Sequence, residues 1–296
     1  MTADLLSSLF LIALAAGLTL AYAFRLAVRG RAQYERIHRQ GGSVLLGKGM
    51  MEMAYWSLQP LARFLIGLRV TPNMISWASL VLGGIAGSFL AYGRFGVAAL
   101  SATASAFLDS LDGIVARETG VSSDAGEVLD ATIDRYVEFF FLAGLVLYYR
   151  DVPILMLVAL FALMGSFMVS YSSAKAEAMQ MRPPPGIMRR PERAFYLILG
   201  AALSPLPWFE PQEYATIPVA FPMVFALVIV AVLANISAIE RLYTVAQAIR
   251  LREIEAENGT PGKPASAGFE EADESPLGAH RLLETEEAVV FQRQKT

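Results

Sequence analysis

Apolar stretches long enough to cross a bilayer recur through this chain and limit it to one broad architecture. Residues 4–24 (DLLSSLFLIALAAGLTLAYAF) form the first. Five or six more are expected, placed near 73–92, 95–113, 127–149, 153–175, 193–209 and 215–240. Roughly 20 predominantly apolar residues make one transmembrane helix. The chain as a whole agrees: 55% of its 296 residues are hydrophobic and its mean hydropathy is +0.47. Such a composition belongs to a polytopic membrane protein rather than a soluble domain. The fold class expected is therefore all-α and integral to the membrane, with a six-helix core and one extra helix at the N-terminus. Short turns such as Tyr92-Gly93-Arg94 and Arg150-Asp151-Val152-Pro153 separate the spans.

Charge sorts these spans by side. The first stretch opens on Asp4, with no Lys or Arg ahead of it, and is followed by Arg25, Arg29, Arg31, Arg36 and Arg39, which favours a retained anchor with its basic end in the cytoplasm over a cleaved signal peptide ending at Ala21-Tyr22-Ala23. Arg69, Arg117, Lys175, Arg182, Arg189, Arg190, Arg193 and Arg241 fall on the same side; Arg94, Arg150, Asp151, Glu210 and Glu213 fall on the other. The net charge of −3 hides this segregation. Four segments follow: an anchor at 1–24, a basic juxtamembrane segment at 25–70, a transmembrane core at 71–245 and a polar tail at 246–296. Within the second, Met50 to Leu68 mixes apolar and polar residues around Tyr55 and Trp56 and suits the membrane interface. The tail is rich in Glu, Pro, Gly and Ser and is expected to be mostly disordered, with a short helix over 282–291.

Against this apolar background stands LDSLDGIVARETGVSSDAGEVLDATIDR, from Leu108 to Arg135. Carboxylates near hydrocarbon are costly and mark function. Asp109 and Asp112 are one turn apart, as are Asp130 and Asp134, so each pair shares a helix face. Two such faces brought together make an oxygen-rich pocket for hard divalent cations. Gly113, Ala116 and Gly126 remove bulk beside the acids, and Arg117 offers a planar charge for phosphate. The chain has no cysteine, and its two histidines, His38 and His280, lie far from the acids in sequence. Disulfides, Cys-ligated zinc and iron–sulfur clusters are thereby excluded, and a His-centred triad or a His-rich metal site is not expected. A lone Asp at a helix end is more often a solvated cap, and a lone membrane glycine more often a packing contact. Eight positions in register are not explained that way.

The pattern D-x2-D-G-x2-A-R-x8-G-x3-D-x3-D, with Val70-Thr71-Pro72-Asn73 ahead of it, resembles the CDP-alcohol phosphotransferase family over residues 69–245. What the resemblance implies is metal-dependent displacement of CMP from a CDP-linked lipid by a hydroxyl acceptor, in phospholipid biosynthesis. It implies two divalent cations, Mg2+ or Mn2+, held by Asp109, Asp112, Asp130 and Asp134, with Asp134 as the base. It implies a cytidine diphosphate pocket shaped by Asn73, Asp112, Gly113, Ala116, Arg117 and Gly126. It further implies a homodimer in the cytoplasmic membrane, its polar cavity facing the cytoplasm, with membrane lipids and no nucleic acid among its partners.

Residues 170–193, SYSSAKAEAMQMRPPPGIMRRPER, resemble the phosphatidylinositol-phosphate synthase branch of that family through Ser170, Tyr171, Ala174, Ala176, Glu177, Gly186, Ile187 and the run Arg190 to Arg193. Ser173, Lys175 and Arg189 depart from that branch, which carries Lys, Arg and Glu there. Lys175, Arg190 and Arg193 are the expected clamp for an acceptor phosphate. Inositol phosphate leads as acceptor, ahead of glycerol phosphate or another alcohol. An intramembrane prenyltransferase and an ion or proton carrier are the rival readings, since both also place acids in the membrane; neither needs the small residues beside them.

Overall fold

The computed structural model describes residues 2–30, 47–181, 186–208, 212–214 and 217–257. Eight helices occur among them: α1 (Ala3–Arg29), α2 (Gly47–Gly67), α3 (Pro72–Ala91), α4 (Phe95–Glu118), α5 (Asp124–Tyr148), α6 (Pro153–Ala178), α7 (Arg190–Leu203) and α8 (Phe221–Glu257). A small antiparallel hairpin, β1 (Gln212–Tyr214) with β2 (Ile217–Val219), precedes α8. The basic run at 31–46, Arg182 and the tail beyond 257, with the short helix expected over 282–291, lie outside the described residues.

Among the described residues four helices are both long and apolar enough to cross a membrane: α1, α3, α6 and α8. The α4 and α5 helices are long enough, at 24 and 25 residues, and carry the signature acids that lower their hydropathy. The seventh is different. It has only 14 residues, about 21 Å of helix, against a hydrocarbon thickness of about 30 Å. The expected span to 209 stops at Leu203 because Pro205 and Pro207 bring no N–H to extend the ladder. The last helix, by contrast, runs past the expected core boundary at 245 to Glu257.

Helix starts follow local chemistry. Thr71 caps α3, its Oγ1 accepting from Met74 N at 3.4 Å with Pro72 in the first turn. Ser123 caps α5, accepting from Gly126 N at 3.1 Å. The described residues of 1–169 and 186–238 make one compact unit, and those of 170–181 and 239–257 a second. The core of the first holds Ala86 and Leu90 of α3, Ala98 and Ala99 of α4 and Leu142 and Leu145 of α5. Small residues set the spacing there. A Cβ at Gly87 would strike the carbonyl of Phe140, and one at Gly144 the carbonyl of Gly87, so α3 and α5 cross backbone to backbone. Between α3 and α4, Ser79 and Ser105 meet at 3.1 Å. In the second unit Ala176, Met181 and Val245 pack together, and Arg241 Nη1 donates to Ser173 Oγ at 2.7 Å.

Candidate metal and phosphate site

Both carboxylate pairs occupy one helix face each, on the last turns of α4 and the first turns of α5. The fold brings those faces together. Asp109, Asp130 and Asp134 each present an oxygen within 4.8 Å of the others. Asp112 stands beside them, buried, and accepts a 2.5 Å hydrogen bond from Ser76 Oγ of α3. Spans meeting this way, at that separation and with carboxylate donors only, fit a hard divalent cation. Asp109, Asp130 and Asp134 are the residues that would hold it.

Arg190, the first residue of α7, reaches into this cluster. Its Nη1 and Nη2 donate to Asp109 Oδ2 and Oδ1 at 2.9 and 3.1 Å, and Nη2 lies 2.5 Å from Asp134 Oδ1. A fork-to-fork pair of this kind fixes direction as well as charge. Arg193, one turn on, does something else. Its side chain is 1% exposed and donates through Nε and Nη2 to Glu138 Oε1 and Oε2 at 2.6 and 2.9 Å. Its Nη1 turns toward Met188 O at 3.4 Å. The two arginines expected to act as one clamp therefore have separate partners. Lys175 is exposed and belongs to the second unit, whereas the carboxylates belong to the first.

The residues expected around the donor lie on α3, α4 and α5. Gly113 is half-buried, and Arg117 folds back over it: a Cβ there would stand 3.1 Å from Arg117 Nη1. Ala116 is half-buried on the same helix, Gly126 sits in the first turn of α5, and Asn73 is exposed in the first turn of α3. Three contacts were not foreseen from sequence: Ser76 on Asp112, Glu138 on Arg193, and Tyr55, whose hydroxyl accepts from Arg117 Nη2 at 2.5 Å. Glu138 had a signal, since it extends the i+4 series Asp130, Asp134. Ser76 and Tyr55 come from other helices, with no local pattern pointing to them.

Three converging carboxylates with Arg190 against them, on helices apolar enough for a membrane, can hold a hard cation next to a phosphate group. A family profile described as CDP-alcohol phosphatidyltransferase matches residues 69–236. The chain belongs to the CDP-alcohol phosphatidyltransferase family. It is 32% identical over 203 residues to a phosphatidylinositol phosphate synthase of Mycolicibacterium smegmatis, covering 66% of this chain and 87% of that one. It is 31% identical over 249 residues to the phosphatidylinositol phosphate synthase of Streptomyces avermitilis, covering 82% and 96%. Among solved structures it is similar to the Mycobacterium tuberculosis phosphatidylinositol phosphate synthase with CDP-DAG bound, with a TM-score of 0.56, 28% identity and coverage of 64% and 92%. The same enzyme in complex with manganese and citrate gives a TM-score of 0.56, with coverage of 64% and 88%. The chain is thus an integral membrane transferase that uses divalent cations.

Proposed function

We propose that this protein transfers the phosphatidyl group of CDP-diacylglycerol to a hydroxyl of inositol phosphate and releases CMP. The observation that carries the reading is the meeting of Asp109, Asp130 and Asp134 within 4.8 Å, on the scaffold of a family whose similar members are inositol-phosphate enzymes. Asp109, Asp130 and Asp134 would hold the divalent cations, which would supply positive charge to offset the diphosphate.

The residues divide the remaining work. Gly113, Ala116 and Gly126 keep the walls low where the cytidine and its diphosphate pass, and Asn73 and Arg117 meet the donor's polar atoms. Asp112, held by Ser76, completes the carboxylate set. The acceptor hydroxyl oxygen attacks the phosphorus that carries diacylglycerol, the bond from that phosphorus to the CMP oxygen breaks, and the hydroxyl proton passes to Asp134. Arg190 holds the acceptor phosphate beside the carboxylates. Arg193 contributes by fixing the start of α7 to α5 through Glu138, which sets where Arg190 stands. The site faces the cytoplasm from the cytoplasmic membrane, in keeping with the arginines at these helix ends, and the family resemblance supports a homodimer.

Purified protein given Mg2+, CDP-diacylglycerol and a panel of acceptors tests this. Inositol phosphate is expected to drive CMP release faster than glycerol phosphate, inositol or serine, and Asp134→Asn to slow it about 10²–10⁴-fold. Faster release with another acceptor would overturn the acceptor assignment, and near-normal turnover by Asp134→Asn would overturn the base.

A further inference from the structure

Arg117 closes the signature on α4, yet its orientation is set from outside the family's matched residues. Its guanidinium lies over Gly113, where a Cβ would come within 3.1 Å of Nη1, and its Nη2 donates to Tyr55 OH at 2.5 Å. Tyr55 lies on α2, ahead of the matched span at 69–236. An arginine at an exposed helix end normally spreads over many rotamers, and ordering it on a substrate costs that freedom. A fixed phenol oxygen removes part of the cost beforehand.

The tyrosine is itself held. On one side of α2, Leu58 and Ala62 pack with Ile75 of α3 and Leu111, Ile114 and Val115 of α4. Nearer the start of α2, buried Glu52 accepts from Tyr22 OH of α1 at 3.0 Å. The Tyr22 and Trp56 rings lie 5.7 Å apart, and Arg25 stands 5.8 Å over the Trp56 ring. At its other end α1 is pinned to the start of α4: Asp4 Oδ1 accepts from Val97 N at 3.0 Å, and a Cβ on Gly96 would strike the carbonyl of Asp4. The α1 helix therefore runs beside α4 from its first turn toward the signature end, where α2 bridges the two. That geometry is a brace between an N-terminal membrane helix and one side chain of the site.

We infer that Tyr55 is a positioning residue for the lipid donor: its hydroxyl fixes Arg117 over Gly113, and α1 with α2 hold Tyr55 in place. This rests on the reading above, in which Arg117 meets the donor's diphosphate. A guanidinium carries five N–H donors; Tyr55 takes one and leaves the fork to the phosphate oxygens.

A double-mutant cycle on the full chain, with Mg2+ present, tests it. The KM for CDP-diacylglycerol and for the acceptor is measured for wild type, Tyr55→Phe, Arg117→Ala and the double variant. Donor binding by calorimetry supplies the same cycle where Arg117→Ala is too slow for kinetics. Tyr55→Phe is expected to raise the donor KM about three- to tenfold, leaving the acceptor KM and Tm unchanged, since only a hydroxyl is lost. Added to Arg117→Ala, it is expected to change nothing further. An unaltered donor KM in Tyr55→Phe, or the same penalty with and without Arg117, would overturn the inference alone. An active Arg117→Ala with wild-type donor affinity would remove the arginine's role and the inference with it. Wild-type protein that releases no CMP from CDP-diacylglycerol would instead overturn the donor assignment from which both follow.

Discussion

Arg190 and Arg193 lie one turn apart on α7 and meet different acids. Arg190 is partly exposed, with 31% of its side chain accessible, and touches Asp109 and Asp134, where a charged acceptor can exchange with it. Arg193 is sealed against Glu138. Removing one member of a buried ion pair leaves the other charge without compensation, which costs about 3–5 kcal/mol. Arg193→Ala is therefore expected to lower thermal stability strongly, and Arg193→Ala/Glu138→Ala to recover part of the loss. Arg190→Ala is expected to raise the acceptor KM, and to lower Tm more in EDTA than with Mg2+, where a cation can offset Asp109 and Asp134. Unfolding curves and steady-state kinetics on the three variants check this, and a wild-type Tm for Arg193→Ala would contradict the pairing. The sequence identified both arginines but not their division of labour. Their i, i+3 spacing places them on adjacent positions of a short helix, and only the partner helix decides which one meets Glu138. Carboxylates on α4 and α5 were legible because each pair shares a face by spacing alone. The Ser76 contact with Asp112 spans 36 residues of chain and left no periodic trace.

At the scale of elements, hydropathy located most helices because lipid-facing and core-facing positions are both apolar. The same property hides where a helix ends inside the apolar run, so α7 was placed too long; its prolines carried the information. Hydropathy also says nothing of how close two helices approach. The crossing of α3 and α5 depends on Gly87 and Gly144, where no side chain fits between the backbones. Gly87→Ala forces that crossing apart, and overpacking of this kind costs about 1–3 kcal/mol. Because α5 carries Asp130 and Asp134, the shift also misaligns the two carboxylate faces. Gly17 of α1 offers the control: a Cβ there meets nothing within 4 Å, and Gly→Ala in a helix interior is stabilising by about 1 kcal/mol. Gly87→Ala is expected to lower Tm and activity together, and Gly17→Ala to lower neither. Equal Tm values for Gly87→Ala and wild type in detergent would show that the crossing is looser than the structure has it.

For the molecule as a whole, bringing the aspartates of α4 and α5 together sets like charges close to one another. Asp109, Asp130 and Asp134 converge where α4 and α5 meet, with Asp112 beside them; Arg190 pairs with Asp109 and Asp134, and Arg135 stands 3.8 Å from Asp134. A divalent cation binds this arrangement and not the unfolded chain, where the carboxylates are far apart. Binding to the folded state alone stabilises it by RT ln(1 + [L]/Kd), about 2.7 kcal/mol at a hundredfold excess over Kd. Mg2+ or Mn2+ is therefore expected to raise the Tm of the purified protein in a concentration-dependent way, and EDTA to lower it and abolish CMP release. Asp130→Asn tests the source of the effect. It removes one carboxylate charge from the three-aspartate cluster and none of the packing contacts at the α3–α5 crossing, so it is expected to flatten the dependence of Tm on cation while leaving the EDTA-treated Tm near or above wild type. The sign matters. A variant less stable than wild type without metal would mean that Asp130 serves packing, and full activity in excess EDTA would detach the carboxylates from the chemistry altogether.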